Sequence, residues 1–203
     1  MEQTISPQAM QVLAVLKQQK TAVDTAQLGL LCAMEGPGLA AALEELRSAG
    51  HAMENRKGKW ALPALLGCVY GRVQGTRKGY AFLLPSDGTD DIFLPQDALG
   101  SAMHDDMALV RVIARKGRAR GTNRAREGEV VQVLHRARTR VVGTLERGAH
   151  ASFVVPEDRR IADVFIPRDA VGDGQSGQLV VVEITAFAKP GRNAQAVSYT
   201  HLR

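Results

Sequence analysis

The chain has 203 residues, 45% hydrophobic but only 4% aromatic, with a formal net charge of +5. That length allows one large domain or two to three small ones, and the apolar content supports real cores. No apolar run approaches the roughly 20 residues needed to span a bilayer, the start around Glu2 lacks a secretory pattern, and neither CxxC nor Cys/His ligand spacing occurs, which argues against a structural zinc.

The first unit reads as helical. Ser6 followed by Pro7 is an N-cap with proline at the first helical position. Met10, Leu13 and Leu16 then recur at helical spacing. Asp24 is placed to cap a second helix carrying Leu28, Leu31 and Cys32. After a break at Gly36-Pro37-Gly38, Leu39, Leu43 and Leu46 mark a third helix closed by Gly50. Residues 51–54 and 59–62 read as a hairpin whose turn carries Arg56 and Lys57. Three short helices and a basic-tipped hairpin predict a winged helix over residues 1–65. Cys32 and Cys68 sit among apolar neighbours, as thiols of a reducing compartment do, and the cytoplasm is the expected location.

From about residue 66 helical periodicity gives way to short β-rich runs, and these runs repeat. Val69-Tyr70-Gly71-Arg72-Val73 matches Val141-Val142-Gly143-Thr144-Leu145. Ala81 to Pro85 matches Ser152 to Pro156, Asp91 to Ala98 matches Asp163 to Ala170, and Met107 to Ile113 matches Gln178 to Ile184. The offset holds at about 71 to 72 residues, so the expectation is two copies of a five-stranded domain rather than a solenoid. Each copy has the size and strand count of an OB barrel. The expected fold class is therefore α+β and multi-domain: winged helix 1–65, OB barrels 66–136 and 137–197, and a tail 198–203.

The fifth strand of the first copy is predicted over Gly128 to Val133, which leaves residues 115–126 as the preceding loop. From Arg111 to Arg140 there are ten Lys and Arg against two Glu, about +8, so the remainder of the chain is slightly acidic. A basic belt on an acidic protein points to a polyanionic partner, with Arg118, Arg120, Arg124 and Arg126 as candidate phosphate contacts.

Single strands of nucleic acid are held by aromatic faces for bases and cations for phosphates. In Lys78-Gly79-Tyr80-Ala81-Phe82-Leu83, strand alternation sends Tyr80 and Phe82 to one face and Ala81 and Leu83 to the other. Phe93 points outward where Ile92 and Leu94 point inward. Three rings beside Arg77 and Lys78 would form a stacking platform. The second copy keeps Phe153 and Phe165 but has Ala151 in place of Tyr80, so phosphate contacts from Arg159, Arg160 and Arg168 should matter more there.

Two other clusters carry less. Asp87, Asp90 and Asp91 read as a solvated turn rather than a Mg²⁺ site. His104 beside Asp105 and Asp106 has no nucleophile or second base with it, so no catalytic residue is assigned. There is no glycine-rich phosphate cradle, and no cofactor is expected in the chain.

The order of winged helix, Gly71-Arg72-Val73, Gly79-Tyr80-Ala81-Phe82-Leu83, Asp91-Ile92-Phe93-Leu94 and Ala102-Met103-His104-Asp105-Asp106 resembles the N-terminal half of ribonuclease R, a processive 3′→5′ exoribonuclease related to ribonuclease II. The resemblance covers about residues 6 to 197. It implies two cold-shock-type OB domains that recruit single-stranded RNA for a covalently linked downstream nuclease domain, where the family's Mg²⁺-binding aspartates lie. On that reading this chain alone is inactive. The family usually has His-Gly-Asp where this chain has His104-Asp105-Asp106, and Ser198 to Arg203 does not resemble the family's next strand, which suggests a truncated frame with a foreign tail. The alternatives are a stand-alone RNA-binding or chaperone protein and a winged-helix DNA-binding regulator. Against the last, Glu44 and Glu45 oppose phosphate approach to the third helix. Protein contact or docking of structured RNA is the expected use of the winged helix.

Overall fold

The computed structural model describes residues 5–113, 126–149, 151–167, 170–188 and 193–201, with the backbone alone at 198–201. It divides into two compact units, Met1–Val69 and Tyr70–Arg203.

In the first unit, α1 (Pro7–Gln18) begins where the Ser6 hydroxyl accepts a hydrogen bond from the Ala9 N–H at 3.2 Å. A two-residue strand β1 (Val23–Asp24) precedes α2 (Thr25–Cys32), whose cap is Asp24 accepting from the Gln27 N–H at 2.8 Å. After α3 (Gly36–Ser48), strands β2 (Met53–Glu54) and β3 (Lys59–Ala61) form a hairpin, and the sheet order is β1-β3-β2. Asn55 Oδ1 accepts from the N–H groups of Lys57 and Lys59, fixing the turn. Val12, Leu16, Leu28, Leu39, Leu43, Leu46 and Trp60 make the core.

Three local features differ from the sequence reading or go beyond it. The chain turns at Ala33 (φ 48°), ahead of the expected break, and again at Gly36 (φ 61°) within it. Pro37 then lies in the first turn of α3, where its missing N–H would have had no partner in any case. Strand β1 is too short for any alternation to reveal. Glu45 accepts from both the Ser6 N–H (2.7 Å) and the Ser6 hydroxyl (2.6 Å), so this carboxylate ties α3 to the start of α1. Among the described residues no single helix is long and apolar enough to cross a membrane.

In the second unit the repeat becomes two closed barrels. The first contains β4 (Cys68–Gly75), β5 (Ala81–Pro85), β6 (Ile92–Leu94), β7 (Met107–Ile113) and β8 (Arg126–His135), closed in the order β4-β5-β6-β8-β7. The second contains β9 (Arg140–Arg147), β10 (Ser152–Pro156), β11 (Val164–Ile166), β12 (Leu179–Ala186) and β13 (Gln195–His201), closed in the equivalent order β9-β10-β11-β13-β12. In both, the third and fifth strands pair in parallel and their other described pairings are antiparallel. The inside of the first is filled by Val73, Ala81, Leu83, Ile92, Leu94 and Val110, and of the second by Leu145, Val154, Val164, Ile166, Val180 and Val182, all buried.

Strand β8 is longer than the Gly128 to Val133 predicted, and the ladder of β13 continues to a His201–Val180 pair, past the boundary expected at residue 197. The backbone reason for the repeated glycine is visible. A Cβ on Gly71 would lie 2.3 Å from the Leu84 carbonyl oxygen, and one on Gly143 would lie 2.4 Å from that of Val155. At both places the coiling of the first strand onto the second leaves no room for a side chain.

Candidate nucleic-acid interface

The first barrel presents three half-buried rings on one face. Phe82 and Phe93 are directly opposed on β5 and β6, and the residues flanking them, Ala81, Leu83, Ile92 and Leu94, are buried. Tyr80 joins them from just before β5. The centroid separations are 5.8 Å for Tyr80–Phe82, 5.5 Å for Tyr80–Phe93 and 5.7 Å for Phe82–Phe93. The alternation read from sequence is therefore the alternation observed. Mutual edge and tilted contacts hold the rings in place, so the three form a preformed apolar surface.

The turn before β5 is held by Thr76, whose N–H and hydroxyl both donate to the Tyr80 carbonyl at 3.0 and 2.7 Å. Gly79 closes it at φ 83°, a conformation that favours glycine. Arg77 and Lys78 project at the tip, exposed, and their side chains make no hydrogen bond or ion pair among the described residues. Among the described residues they are cations without a partner, beside the rings.

In the second barrel Phe153 and Phe165 are likewise opposed across β10 and β11, with centroids 5.8 Å apart. Among the described residues no ring completes a triad, and Ala151 takes the place of Tyr80. Arg159 is exposed and without a partner among the described residues, whereas Arg160 is held by Asp158 through Nε (2.8 Å) and Nη2 (2.9 Å). This pairing pulls the Asp158 carboxyl far below the usual carboxylate range.

The basic belt is only partly within the described residues. Arg118, Arg120, Arg124 and Arg168 lie outside them. Arg126 opens β8 and donates from Nη2 to Thr89 Oγ1 (3.0 Å) and to the Asp90 carbonyl (2.7 Å), so it braces the β5–β6 turn. In that turn Asp87 Oδ1 accepts from the Thr89 N–H and hydroxyl, the geometry of a solvated turn. Among the described residues no group of three His, Cys, Asp or Glu is placed to hold a metal ion.

Between the barrels lies a cleft of about 1040 Å³, lined by Arg77, Tyr80 and Gln96 on one side and Arg159, Ile161 and Asn193 on the other. Beside it, Met103 to Asp106 forms a corner that the sequence reading set aside. His104 is buried, with Nδ1 accepting from the Gly75 N–H at 3.2 Å and Nε2 3.2 Å from Asp105 Oδ2. That pattern fits a neutral imidazole protonated at Nε2. Burial lowers its pKa from the ordinary histidine value. Asp106 is fully buried but satisfied, accepting from the N–H groups of Met103 and Ala137 (both 2.9 Å) and from Arg136 Nη1 (2.8 Å). The only sequence signal for this corner was the departure from His-Gly-Asp. Asp105 does take the glycine-type backbone, at φ 71°.

Comparison with known proteins agrees with this geometry. The Ribonuclease B OB domain family model matches residues 71–133, and the Cold shock domain model matches residues 153–198. The chain is 34% identical over 154 residues to Ribonuclease R of Acidithiobacillus ferrooxidans, covering 74% of this chain and 34% of that protein. To Ribonuclease R of Escherichia coli K12 it is 34% identical over 163 residues, covering 79% of this chain and 19% of that one. The chain thus spans about a third or less of these relatives' length. Two solved structures share the fold at a TM-score of 0.53. One is the yeast pseudonuclease Ssd1, at 18% identity, covering 67% of this chain and 23% of that chain. The other is Mycoplasma genitalium RNase R in complex with ribose-methylated single-stranded RNA, at 15% identity, covering 66% and 21%. With its two barrels matched in order and about three quarters of its length aligned to these sequences, the chain belongs to the ribonuclease R family, as a counterpart of its N-terminal region.

Proposed function

We propose that the paired barrels bind single-stranded RNA and, in a protein of the ribonuclease R kind, recruit the strand for a nuclease domain carried by the same polypeptide. One observation carries this reading: three touching rings on the outer face of the first barrel, beside the uncommitted Arg77 and Lys78. Such a surface supplies base stacking and phosphate attraction together, without selecting a sequence. The second barrel, with two rings and Arg159, contributes less stacking. Helix α1, strand β1, helices α2 and α3 and the β2–β3 hairpin follow one another in the order of a winged helix, and we read the first unit as one. Its third helix pairs Arg47 with Glu44, which disfavours a role for that helix on duplex DNA.

The test is binding of an oligouridylate to the parent chain and to Tyr80→Ala, Phe82→Ala and Phe93→Ala variants. Each single substitution should weaken binding by about tenfold, within the roughly 1–3 kcal/mol that stacking on one ring contributes. The far-ultraviolet circular dichroism should be unchanged, because the barrel interior is intact. Phe153→Ala should cost less. Equal affinity of the triple variant and the parent would falsify the platform.

A further inference from the structure

The two barrels are joined by contacts that neither needs for its own ladder. Arg136, between β8 and β9, donates to the Ser101 carbonyl (2.6 Å), the Ser101 hydroxyl (2.8 Å) and Asp106 (2.8 Å) in the first barrel. Its guanidinium carbon lies 3.6 Å from the ring centroid of Phe187, which follows β12 in the second. Arg138 reaches Asp105 Oδ2 (3.0 Å) with one nitrogen and Asp158 Oδ2 (3.6 Å) with the other, so one guanidinium bridges both barrels. Met103 packs against the second barrel's core. A Cβ on Gly75 would come within 2.8 Å of the Arg160 carbonyl oxygen, so backbone meets backbone there.

Asp105 is the unusual member of this joint. It holds φ 71°, a left-handed conformation that favours glycine over residues with a Cβ. Its carboxylate meets Arg72 Nη1 (3.0 Å), Arg138 Nη2 (3.0 Å) and His104 Nε2 (3.2 Å), groups from three separate stretches of chain. Glycine would relieve the backbone and lose all three contacts. A strained residue that makes three such contacts points to a function for its side chain.

We propose that Asp105 and Arg138 are positioning residues that latch the second barrel against the first, so that one RNA strand engages both as a single surface. This rests on the RNA-binding reading. With the latch closed, a strand seated on the first barrel meets the second at a fixed distance and a high effective concentration. With it open, the second barrel reorients about residues 136–139, and the added affinity falls away.

The experiment uses the full chain as parent, Asp105→Gly and Arg138→Gln, with spin labels on Asp90→Cys and Asp173→Cys. Distances between the labels are measured, together with binding of oligouridylates of about four and about twelve nucleotides, lengths within the range of OB site sizes. The parent should give a narrow distance distribution and both variants a broadened one. Affinity for the longer RNA should fall about three- to tenfold in the variants, while that for the shorter RNA stays constant. The Asp105→Gly melting temperature should not fall, because glycine suits the backbone. An unchanged distance distribution, or an equal loss for both lengths, would overturn the latch. If the parent binds neither RNA, the RNA reading fails and the distances alone decide whether a latch exists.

Discussion

At the scale of single residues, Gly71 and Gly143 show how little room the fold leaves. Each faces a carbonyl oxygen of the neighbouring strand at a distance no Cβ can share. Replacing either by alanine must move backbone rather than a flexible side chain. Gly71→Ala and Gly143→Ala should each destabilise by about 2 kcal/mol or more, read as a lower midpoint in urea unfolding. A neutral result would mean the strand coiling is softer than described. Phe82 and Phe93 were legible in the sequence because strand alternation depends only on local pattern. Glu45 was not. Its contact with Ser6 spans 39 positions, and in sequence it read only as a repulsive charge on α3.

At the scale of elements, the corner from Met103 to Asp106 depends on a neutral histidine. His104 Nδ1 accepts from the Gly75 N–H, and protonation would set two donors against each other. Its folded-state pKa is lowered from 6.5, chiefly by burial and against the opposing pull of Asp105. The folded state therefore takes up this proton less readily than the unfolded chain. Stability is full above the unfolded value and declines as the pH falls from about 6.5 toward the folded pKa. Thermal melts between pH 7.5 and 5 should show that decline, and His104→Asn, which keeps an acceptor near Gly75, should flatten it. A wild-type profile no steeper than that of the variant would contradict the assignment. Helices and barrel strands were readable from caps and periods, whereas β1 and the start of α3 were not. Two residues carry no period, and Gly-Pro-Gly reads equally as a break and as a first helical turn.

At the scale of the whole molecule, the repeat forecast two barrels with the same strand order, because four matched blocks in sequence impose the same pairing twice. It could not forecast the joint. Arg136, Arg138, Asp105, Asp158 and Phe187 come together only once both barrels are closed, and surface charges of this kind have no period to read. The basic belt was legible as composition, yet Arg126 is committed to a turn and Arg136 and Arg138 to the joint. Among the described residues, Arg77, Lys78 and Arg159 make no side-chain hydrogen bond or ion pair. The rings beside Arg77 and Lys78 are therefore the central feature of the proposed interface, and ring-proton chemical shifts on titration with oligouridylate test them most directly. The prediction is that Tyr80, Phe82 and Phe93 ring protons move strongly on binding while the inward Leu83 and Ile92 methyls barely change. Saturable RNA binding that leaves those three rings unperturbed would contradict it.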